Sequence, residues 1–307
     1  MENILAKIDL SNISHSYNPN DDKPIYALNP FSMTWENGKR YAILGPSGCG
    51  KTTMLNIVSG LVKPTKGEIL FDEKNVTNLQ TESRNISQVF QFPVIYNTMT
   101  VYDNLAFPLR CRGFSNEKIE ERVKSVSDTL NLSSFLNSPA RKLTADQKQL
   151  ISLGRGLVRE DVAAVLMDEP LTVIDPDLKF RLRRNLKEIN EQYKTTLVYV
   201  THDQNEAMTF ADNIIVMDQG EIVQVGLPKD LFEKPQTTFV GYFIGSPAMN
   251  IFETTVCSDY EVKLNDLNIK TQSNLSSLKD KKVKLGIRSE FIKLATNENE
   301  NTLKIKL

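Results

Sequence analysis

Short apolar runs alternate with helix-like segments along the first 240 or so residues. The runs have the length of buried strands and lie at residues 40–44, 86–90, 163–167, 197–200 and 213–217. Segments with the apolar spacing of helices stand next to several of them, as at 51–60 and 176–193. Strands that alternate with helices in this way are typical of an α/β domain whose sheet has parallel pairing.

A stretch between residues 92 and 159 departs from this alternation. It has hardly any strand signal, and its apolar spacing predicts helices at 101–109, 117–130 and 146–158. We interpret the stretch as a helical insertion into the α/β domain.

The pattern changes again after residue 245. Short β-like runs at 251–256, 260–264, 282–287 and 303–307 are separated by segments rich in Asn, Ser and Lys. Runs of this length predict a small antiparallel β domain. We therefore predict two domains, an α/β domain over residues 1–245 with its insertion at about 92–159, and an all-β domain over 246–307.

Composition and charge exclude several classes of protein. The 307 residues include 37 Lys and Arg and 38 Asp and Glu, and a net charge of −1 argues against a dedicated nucleic-acid binder. No apolar run approaches the roughly 18 residues that a membrane-spanning helix needs, and the first residues lack a signal-peptide pattern. The three cysteines, Cys49, Cys111 and Cys257, form no C-x-x-C pair. We expect a soluble cytoplasmic protein with free thiols and no nucleic-acid partner.

The strongest chemical signal is a glycine-rich segment between the predicted strand at 40–44 and the predicted helix at 51–60. It fits G-x-x-x-x-G-K-[ST] in the strand-to-helix context that a phosphate-binding loop requires. Backbone N–H groups and the helix N-terminus can surround phosphate oxygens, the lysine can reach the β- and γ-phosphates, and the final hydroxyl can ligate Mg²⁺. The candidate ATP-binding residues are Gly45, Pro46, Ser47, Gly48, Cys49, Gly50, Lys51, Thr52 and Thr53.

Four polar residues stand at the ends of other predicted strands. Asp168 and Glu169 end an apolar strand, so the first carboxylate can hold Mg²⁺, directly or through water, and the second can polarise an attacking water. His202 follows the strand at 197–200 and can contact a γ-phosphate, although an isolated histidine is more often an ordinary polar residue. Gln91 follows the strand at 86–90 and, taken alone, is better interpreted as an ordinary loop amide.

These motifs occur together in one order that resembles the ATPase subunits of ABC transporters. The order is the phosphate loop, Gln91, the segment LTADQ at 143–147, LMDEP at 166–170, Asp175, and the pair TH at 201–202. Segments 216–235 and 243–252 resemble carbohydrate-importer ATPases of the maltose and glycerol-3-phosphate type. Within that group, 89–110 and 143–159 are most similar to one of two unlike ATPase subunits of a bacterial glycerol importer. The resemblance covers about residues 4–255 and resumes at 285–288.

The resemblance implies the fold, the cofactors and a role for each motif. The fold is a P-loop ABC-type α/β domain with a helical insertion, followed by a short OB-like β domain, and the cofactors are ATP and Mg²⁺. Tyr17 matches the aromatic residue that stacks on adenine. Thr52, Gln91 and Asp168 match the Mg²⁺ site, and Glu169 matches the general base, with Lys51, Gln91 and His202 completing the catalytic group.

The resemblance also implies the partners. They are a second ATPase subunit, two membrane permease subunits and, indirectly, a solute-binding protein. The helical insertion, with Phe92, Tyr96 and Phe107 near its start, would accept a helix from a membrane subunit. Asp175 matches the acid of a loop that crosses the interface between the two ATPase subunits. The implied location is the cytoplasmic face of the inner membrane, as a peripheral subunit. The implied solute is a small polyol or sugar, with glycerol favoured and sn-glycerol-3-phosphate or an oligosaccharide as the alternative.

One segment departs from the family pattern. The usual signature Leu-Ser-Gly-Gly-Gln, which in the family binds the γ-phosphate of ATP held by the other subunit, is replaced here by Leu143, Thr144, Ala145, Asp146 and Gln147. The alanine adds a Cβ where the backbone must approach closely, and the aspartate places a carboxylate near phosphate. Leu150 replaces a usual arginine, and Val173 replaces a frequent asparagine. The substitutions predict a heterodimer with a second, more regular ATPase.

Three other functions are compatible with parts of the sequence. A non-transport ABC ATPase that acts on DNA or ribosomes would need a long coiled-coil insertion, tandem ATPase halves or a basic surface. A P-loop kinase would explain the phosphate loop but not LTADQ, Asp175 or the TH pair. A regulatory module would depend on the C-terminal β region, for which the sequence indicates no ligand.

Overall fold

The structure is a computed structural model that describes residues 6–265 and 267–293. Its contacts divide the chain into two compact units, residues 1–228 and residues 229 onward. The domain boundary predicted after residue 245 stays a prediction. The division by contacts lies after residue 228, because the two short helices between residues 228 and 243 are grouped almost entirely with the second unit. The predicted strand at 303–307 lies outside the described residues.

The first unit contains two sheets and six α-helices among its described residues. Its strands are β1 Ile8–Ser16, β2 Tyr26–Trp35, β3 Arg40–Leu44, β4 Lys66–Phe71, β5 Lys74–Asn75, β6 Ile86–Val89, β7 Ala164–Asp168, β8 Thr196–Thr201, β9 Asn213–Asp218 and β10 Glu221–Gly226. Its helices are α1 Lys51–Ser59, α2 Val101–Arg110, α3 Asn116–Thr129, α4 Ala145–Leu157, α5 Pro176–Tyr193 and α6 Gln204–Phe210.

The central sheet has six strands in the order β10-β9-β3-β8-β7-β6. All of its pairs are parallel except β9 with β10. The strands β3, β7 and β8 are buried along almost their whole length, which explains why they read as continuous apolar runs and not as alternating ones. The α/β class and the parallel pairing predicted from the sequence are confirmed.

A second sheet was not predicted from the hydrophobic pattern. It has four strands in the order β2-β1-β4-β5, all antiparallel. Its long strands combine buried and exposed positions irregularly, because register shifts interrupt both pairings of β1. Such interruptions break the strict alternation by which a half-buried strand is recognised.

Three helices follow β6 before the chain returns to the sheet at β7. They are α2, α3 and α4, close to the ranges predicted for the helical insertion. Their apolar faces share one core with β7 and α5, and this core includes Leu105, Val126, Leu153, Val165 and Leu186. The insertion is therefore anchored to the central sheet by a continuous hydrophobic core.

Among its described residues, the second unit contains two short α-helices and an antiparallel sheet. Its elements are α7 Pro228–Glu233, α8 Thr238–Phe243, β11 Asn250–Ser258, β12 Glu261–Leu264, β13 Leu267–Lys270 and β14 Lys282–Ile287. The strand order is β13-β12-β11-β14. Buried Arg288 donates hydrogen bonds to the carbonyl oxygens of Phe232, Gly241 and Ile244, so it satisfies the ends of both helices.

Among the described residues, no helix is both long enough and apolar enough to cross a membrane.

We predict that the β sheet of the second unit is dispensable for nucleotide binding. Every strand end that carries a candidate ATP-binding residue belongs to residues 1–228. A chain truncated after Pro247 should bind ATP with a dissociation constant within about twofold of the full chain, because the candidate ATP-binding residues all belong to the first unit. Equilibrium titration with a fluorescent ATP analogue measures this. A truncated protein that keeps its circular dichroism spectrum but does not bind ATP would contradict the prediction.

Candidate functional site

The phosphate loop joins β3 to α1 in a shape that glycine makes possible. Gly48 and Gly50 have φ angles of 80° and 102°, in the left-handed region that side chains disfavour. A Cβ on Gly50 would lie 2.5 Å from the carbonyl oxygen of Ala27, and a Cβ on Gly45 would lie 2.3 Å from that of Met217. The loop is therefore packed directly against the backbone of β2 and β9.

Lys51 begins α1 with its side chain directed back over the loop. Its Nζ donates hydrogen bonds of 2.8 Å to the carbonyl oxygens of Gly45 and Pro46, and the residue is only 6% exposed. A buried ammonium is costly unless it is hydrogen-bonded, so these carbonyls hold the positive charge within the loop. The neighbouring Cys49 is also buried, and burial raises the pKa of its thiol.

Asp168 lies behind the loop at the end of β7. The residue is buried, and burial raises the pKa of its carboxyl, while a hydrogen bond from the Thr52 hydroxyl partly opposes this shift. A carboxylate and a hydroxyl in contact supply the hard oxygen ligands that Mg²⁺ prefers, and such sites are completed by substrate phosphates and waters. The donor set at this position therefore fits Mg²⁺ bound together with a nucleotide.

Glu169 has an unusual backbone conformation for its residue type. Its φ angle is 45°, which costs a residue with a Cβ about 1–2 kcal/mol. Two contacts fix this conformation, since its N–H donates to the carbonyl oxygen of Val200 at 3.0 Å and its own carbonyl accepts the Thr172 hydroxyl at 3.0 Å. Strain of this kind is concentrated at functional sites, where the surrounding structure imposes it.

The Glu169 carboxylate contacts three polar side chains from different parts of the sequence. Nδ1 of His202 lies 3.1 Å from one carboxylate oxygen. Gln91 Nε2 donates to the other at 3.4 Å, and the Thr172 hydroxyl, which shares its proton with the Glu169 carbonyl, lies 3.3 Å from the same oxygen. These four residues line a cavity of about 550 Å³ together with the phosphate loop. The structure thus brings the predicted catalytic residues Lys51, Glu169, His202 and Gln91 to one site.

Tyr17 lines the same cavity from the end of β1. Its hydroxyl lies 3.1 Å from the Thr53 hydroxyl, and its ring meets the His15 ring edge to face at a centroid distance of 4.7 Å. The side chain is 62% exposed, which leaves ring surface available for stacking. The sequence insert 18–24 leads away from this position without removing Tyr17 from the cavity.

The signature segment and Asp175 are not among the residues that line the cavity. Thr144 is the N-cap of α4 and forms a capping box with Gln147. The Thr144 hydroxyl also contacts the Asp146 carboxylate, and Leu143 packs against the core of the helical insertion. Asp175 is the N-cap of α5 and accepts a hydrogen bond from the Asp177 N–H at 3.0 Å.

Thr172 is a site residue that the sequence did not single out. It lies three residues after Glu169 and contacts both its backbone and its carboxylate. A hydroxyl placed three residues after an acid can close such a turn, and this spacing was the available signal. Ala27 lines the cavity through its position beside Gly50, which no motif could indicate.

Two family models match the chain. The ABC transporter model matches residues 28–172, and the MalK OB fold domain model matches residues 245–292. The sn-glycerol-3-phosphate import ATP-binding protein UgpC of Pectobacterium atrosepticum is 38% identical over 297 residues, covering 96% of this chain and 82% of that protein. This chain belongs to the ATP-binding subunits of ABC importers. It is accordingly an ATPase coupled to transport, and its ABC domain binds ATP.

Two further relatives in this family are named for the transport of sugars. The trehalose/maltose import ATP-binding protein MalK of Thermococcus litoralis is 41% identical, covering 80% of this chain and 68% of that protein. The multiple sugar-binding transport ATP-binding protein MsmK of Streptococcus mutans is 38% identical, covering 92% of this chain and 78% of that protein. The predicted resemblance to carbohydrate-importer ATPases of the maltose and glycerol-3-phosphate type is confirmed.

The fold is also similar to that of solved ATP-binding cassettes. The dimeric structure of the cassette MJ0796 in a post-hydrolysis state, bound to ADP and Pi, has a TM-score of 0.65 and 29% sequence identity. The match covers 72% of this chain and 98% of that chain. The predicted ABC-type fold with an OB-like C-terminal domain is therefore confirmed.

We predict that Lys51→Ala weakens ATP binding. The substitution removes the ammonium at the phosphate loop, and a hydrogen bond to a charged group contributes about 1.5–3 kcal/mol, so the affinity should fall roughly ten- to a hundredfold. Isothermal titration of the purified full chain measures this. The matched control is Lys74→Ala on the exposed strand β5, which should leave the affinity unchanged. Equal affinities for the two variants would refute the placement of the nucleotide.

Proposed function

We propose that this chain hydrolyses ATP at the cavity formed by the phosphate loop, Gln91, Glu169 and His202. The observation that carries the proposal is the convergence of Gln91, Thr172 and His202 on one carboxylate, that of Glu169, beside the loop. Lys51 and the loop N–H groups bind the phosphates, and Tyr17 stacks on the adenine. Glu169 accepts a proton from the attacking water, and His202 contacts the γ-phosphate.

Mg²⁺ belongs to the same proposal. Thr52 and Asp168 would hold it, with Gln91 as a further oxygen ligand. When bound, the ion neutralises charge on the β- and γ-phosphates. Asp168 serves this role in its ionised form, and because burial raises the pKa of this carboxyl, acidification removes the negative charge earlier than at an ordinary aspartate.

The transported solute is proposed to be a small polyol or sugar, with glycerol favoured and sn-glycerol-3-phosphate or an oligosaccharide as the alternative. The relatives are named for sn-glycerol-3-phosphate, trehalose, maltose and multiple sugars, which supports the wider class. The likeness of segments 89–110 and 143–159 to a glycerol-importer subunit favours glycerol within it. A solute-binding protein would deliver the solute to the permease subunits, so this chain does not itself select it.

The helical insertion is proposed to accept a helix from a membrane permease subunit at the cytoplasmic face of the membrane. Phe92 is 75% exposed next to Gln91, a position from which a docked helix could reach the cavity. Tyr96 and Phe107 pack against each other with their centroids 4.8 Å apart, and Arg155 lies over the Tyr96 ring. An exposed Phe92 and a packed aromatic pair are thus both present near the start of the insertion.

The second ATPase subunit is proposed to be a different protein with a regular signature. In ATP-bound dimers of this family each signature faces the partner's ATP. Here the Thr144 hydroxyl contacts the Asp146 carboxylate, so its proton is directed to an internal acceptor, and the carboxylate would repel a phosphate. The ATP held by Lys51 would face the partner's regular signature and turn over quickly. The partner's ATP would face Ala145 and Asp146 and turn over slowly.

We predict that Glu169→Gln keeps ATP binding and abolishes most hydrolysis. The amide preserves the shape of the side chain but cannot accept a proton, and general-base catalysis contributes roughly a hundredfold or more. ATP turnover is measured in the transport complex purified through a tag on this chain. Uptake of labelled glycerol by cells carrying the variant should fall with ATP turnover, whereas a fall in uptake of labelled sn-glycerol-3-phosphate alone would favour the alternative solute. The control is Glu68→Gln on strand β4, at an exposed position. Unaltered turnover would remove Glu169 from the role of base.

We predict unequal effects from the two ATP sites of the complex. Glu169→Gln in this chain should remove most activity, whereas the equivalent change in the partner should cost much less. Ala145→Gly combined with Asp146→Gly should speed the slow site, and Asp146→Asn alone separates the effect of charge from that of the Cβ. Full activity from this chain with the permeases alone would exclude the heterodimer. Equal losses from the two glutamate variants would exclude the asymmetry.

A further inference from the structure

A buried carboxylate lies behind the loop that carries His202. Glu206, on α6, is 5% exposed. One of its oxygens accepts hydrogen bonds from two residues of β8, the Tyr199 hydroxyl at 2.9 Å and the Thr201 hydroxyl at 2.8 Å. The other oxygen lies 3.6 Å from Lys179 Nζ and 3.7 Å from a terminal nitrogen of Arg183. One carboxylate oxygen therefore contacts β8, and the other contacts α5.

The contact with Thr201 fixes the residues on both sides of His202. The Thr201 hydroxyl donates its proton to Glu206 and accepts the N–H of Asp203 at 3.0 Å. Since a hydroxyl has one proton, donation to Glu206 leaves its lone pairs for Asp203. Asp203 in turn accepts the Asn205 N–H at 2.7 Å as the N-cap of α6. Residues 201 and 203 are thus held by one hydroxyl whose direction Glu206 sets.

The other oxygen connects this arrangement to α5. Lys179 and Arg183 stand one turn apart on the helix that begins after the N-cap Asp175. Arg183 is largely buried, with a side-chain exposure of 12%, and a buried cation is costly unless a negative charge compensates it. Glu206 supplies that charge. It therefore joins the His202 loop to the first half of the helix that Asp175 caps.

We propose that Glu206 is a positioning residue for ATP hydrolysis, which holds His202 in register with Glu169 and ties it to α5. Glu206 is not among the residues that line the cavity, so it acts through Thr201. The inference rests on the role given to His202 in the proposed function. Its physical basis is that a displacement of about 1 Å at a reacting group can reduce turnover substantially even when binding persists.

The first test is Glu206→Gln in the purified transport complex. In one orientation of the introduced glutamine, its amide oxygen faces the hydroxyls and its N–H groups face the cations Lys179 and Arg183. In the other orientation, Thr201 loses its hydrogen-bond acceptor. ATP turnover should fall about tenfold, while the KM for ATP changes less than about twofold. The matched control is Glu188→Gln, which removes an exposed ion pair with Arg184 on α5 and should change neither. Equal turnover in the two variants would overturn the inference.

A second pair of variants decides the matter if Glu206→Gln does not fold. Thr201→Ser keeps the hydroxyl between Glu206 and Asp203, whereas Thr201→Val keeps the shape and removes it. Thr201→Ser should retain turnover within about twofold, and Thr201→Val should lose about tenfold with unchanged ATP affinity. Similar turnover in both variants would contradict a role for this hydroxyl.

Combination with His202→Ala separates this inference from the proposed function. If Glu206 acts through His202, Glu206→Gln should lower the residual turnover of His202→Ala by less than about twofold, because the two changes are coupled. If Glu206→Gln costs the same factor in both backgrounds, the positioning role fails while the role of His202 stands. If His202→Ala alone retains full turnover, the role of His202 fails, and the positioning role fails with it.

Discussion

The parallel pairing of the central sheet is the constraint on which the site depends. Leu44 pairs with Thr201, and Val200 with Asp168, so the carboxyl ends of β3, β8 and β7 meet at one edge. Polar residues follow the strands at that edge. The phosphate loop follows β3, and His202 follows β8. Side chains more than a hundred residues apart in sequence become neighbours because strands of equal direction end together.

The site concentrates conformations and charges that are unfavourable elsewhere. Lys51, Asp168 and Glu206 are buried, and Glu169 has a left-handed backbone. Each is compensated locally, by loop carbonyls for Lys51, by the Thr52 hydroxyl for Asp168, and by two hydroxyls and two cations for Glu206. A group held by several partners at once has little freedom to reorient, which suits a site where transition-state charge must meet fixed groups.

The two surfaces that this chain would contribute to a dimer differ in how well their residues suit a phosphate group. On its own nucleotide half, Glu169 contacts His202 and Gln91, and Asp168 contacts Thr52 of the phosphate loop. The start of α4, by contrast, places the Asp146 carboxylate against the Thr144 hydroxyl. A helix N-terminus favours anions, and a carboxylate belonging to the chain already provides one. The same local rule that favours phosphate at the phosphate loop is therefore the reason why we expect a weaker signature.

The sequence by itself determined the contiguous chemistry. The phosphate loop, the acids after β7 and the helices of the insertion are local patterns, so residue spacing was sufficient to place them, and the bounds of α5 agree with the predicted range 176–193. Only the tertiary structure decided the antiparallel sheet, the closure of Thr172 on Glu169 and the four contacts of Glu206. These depend on register shifts and on contacts between separate elements, and a linear pattern of hydrophobic and polar residues does not encode which distant partner a polar side chain will meet.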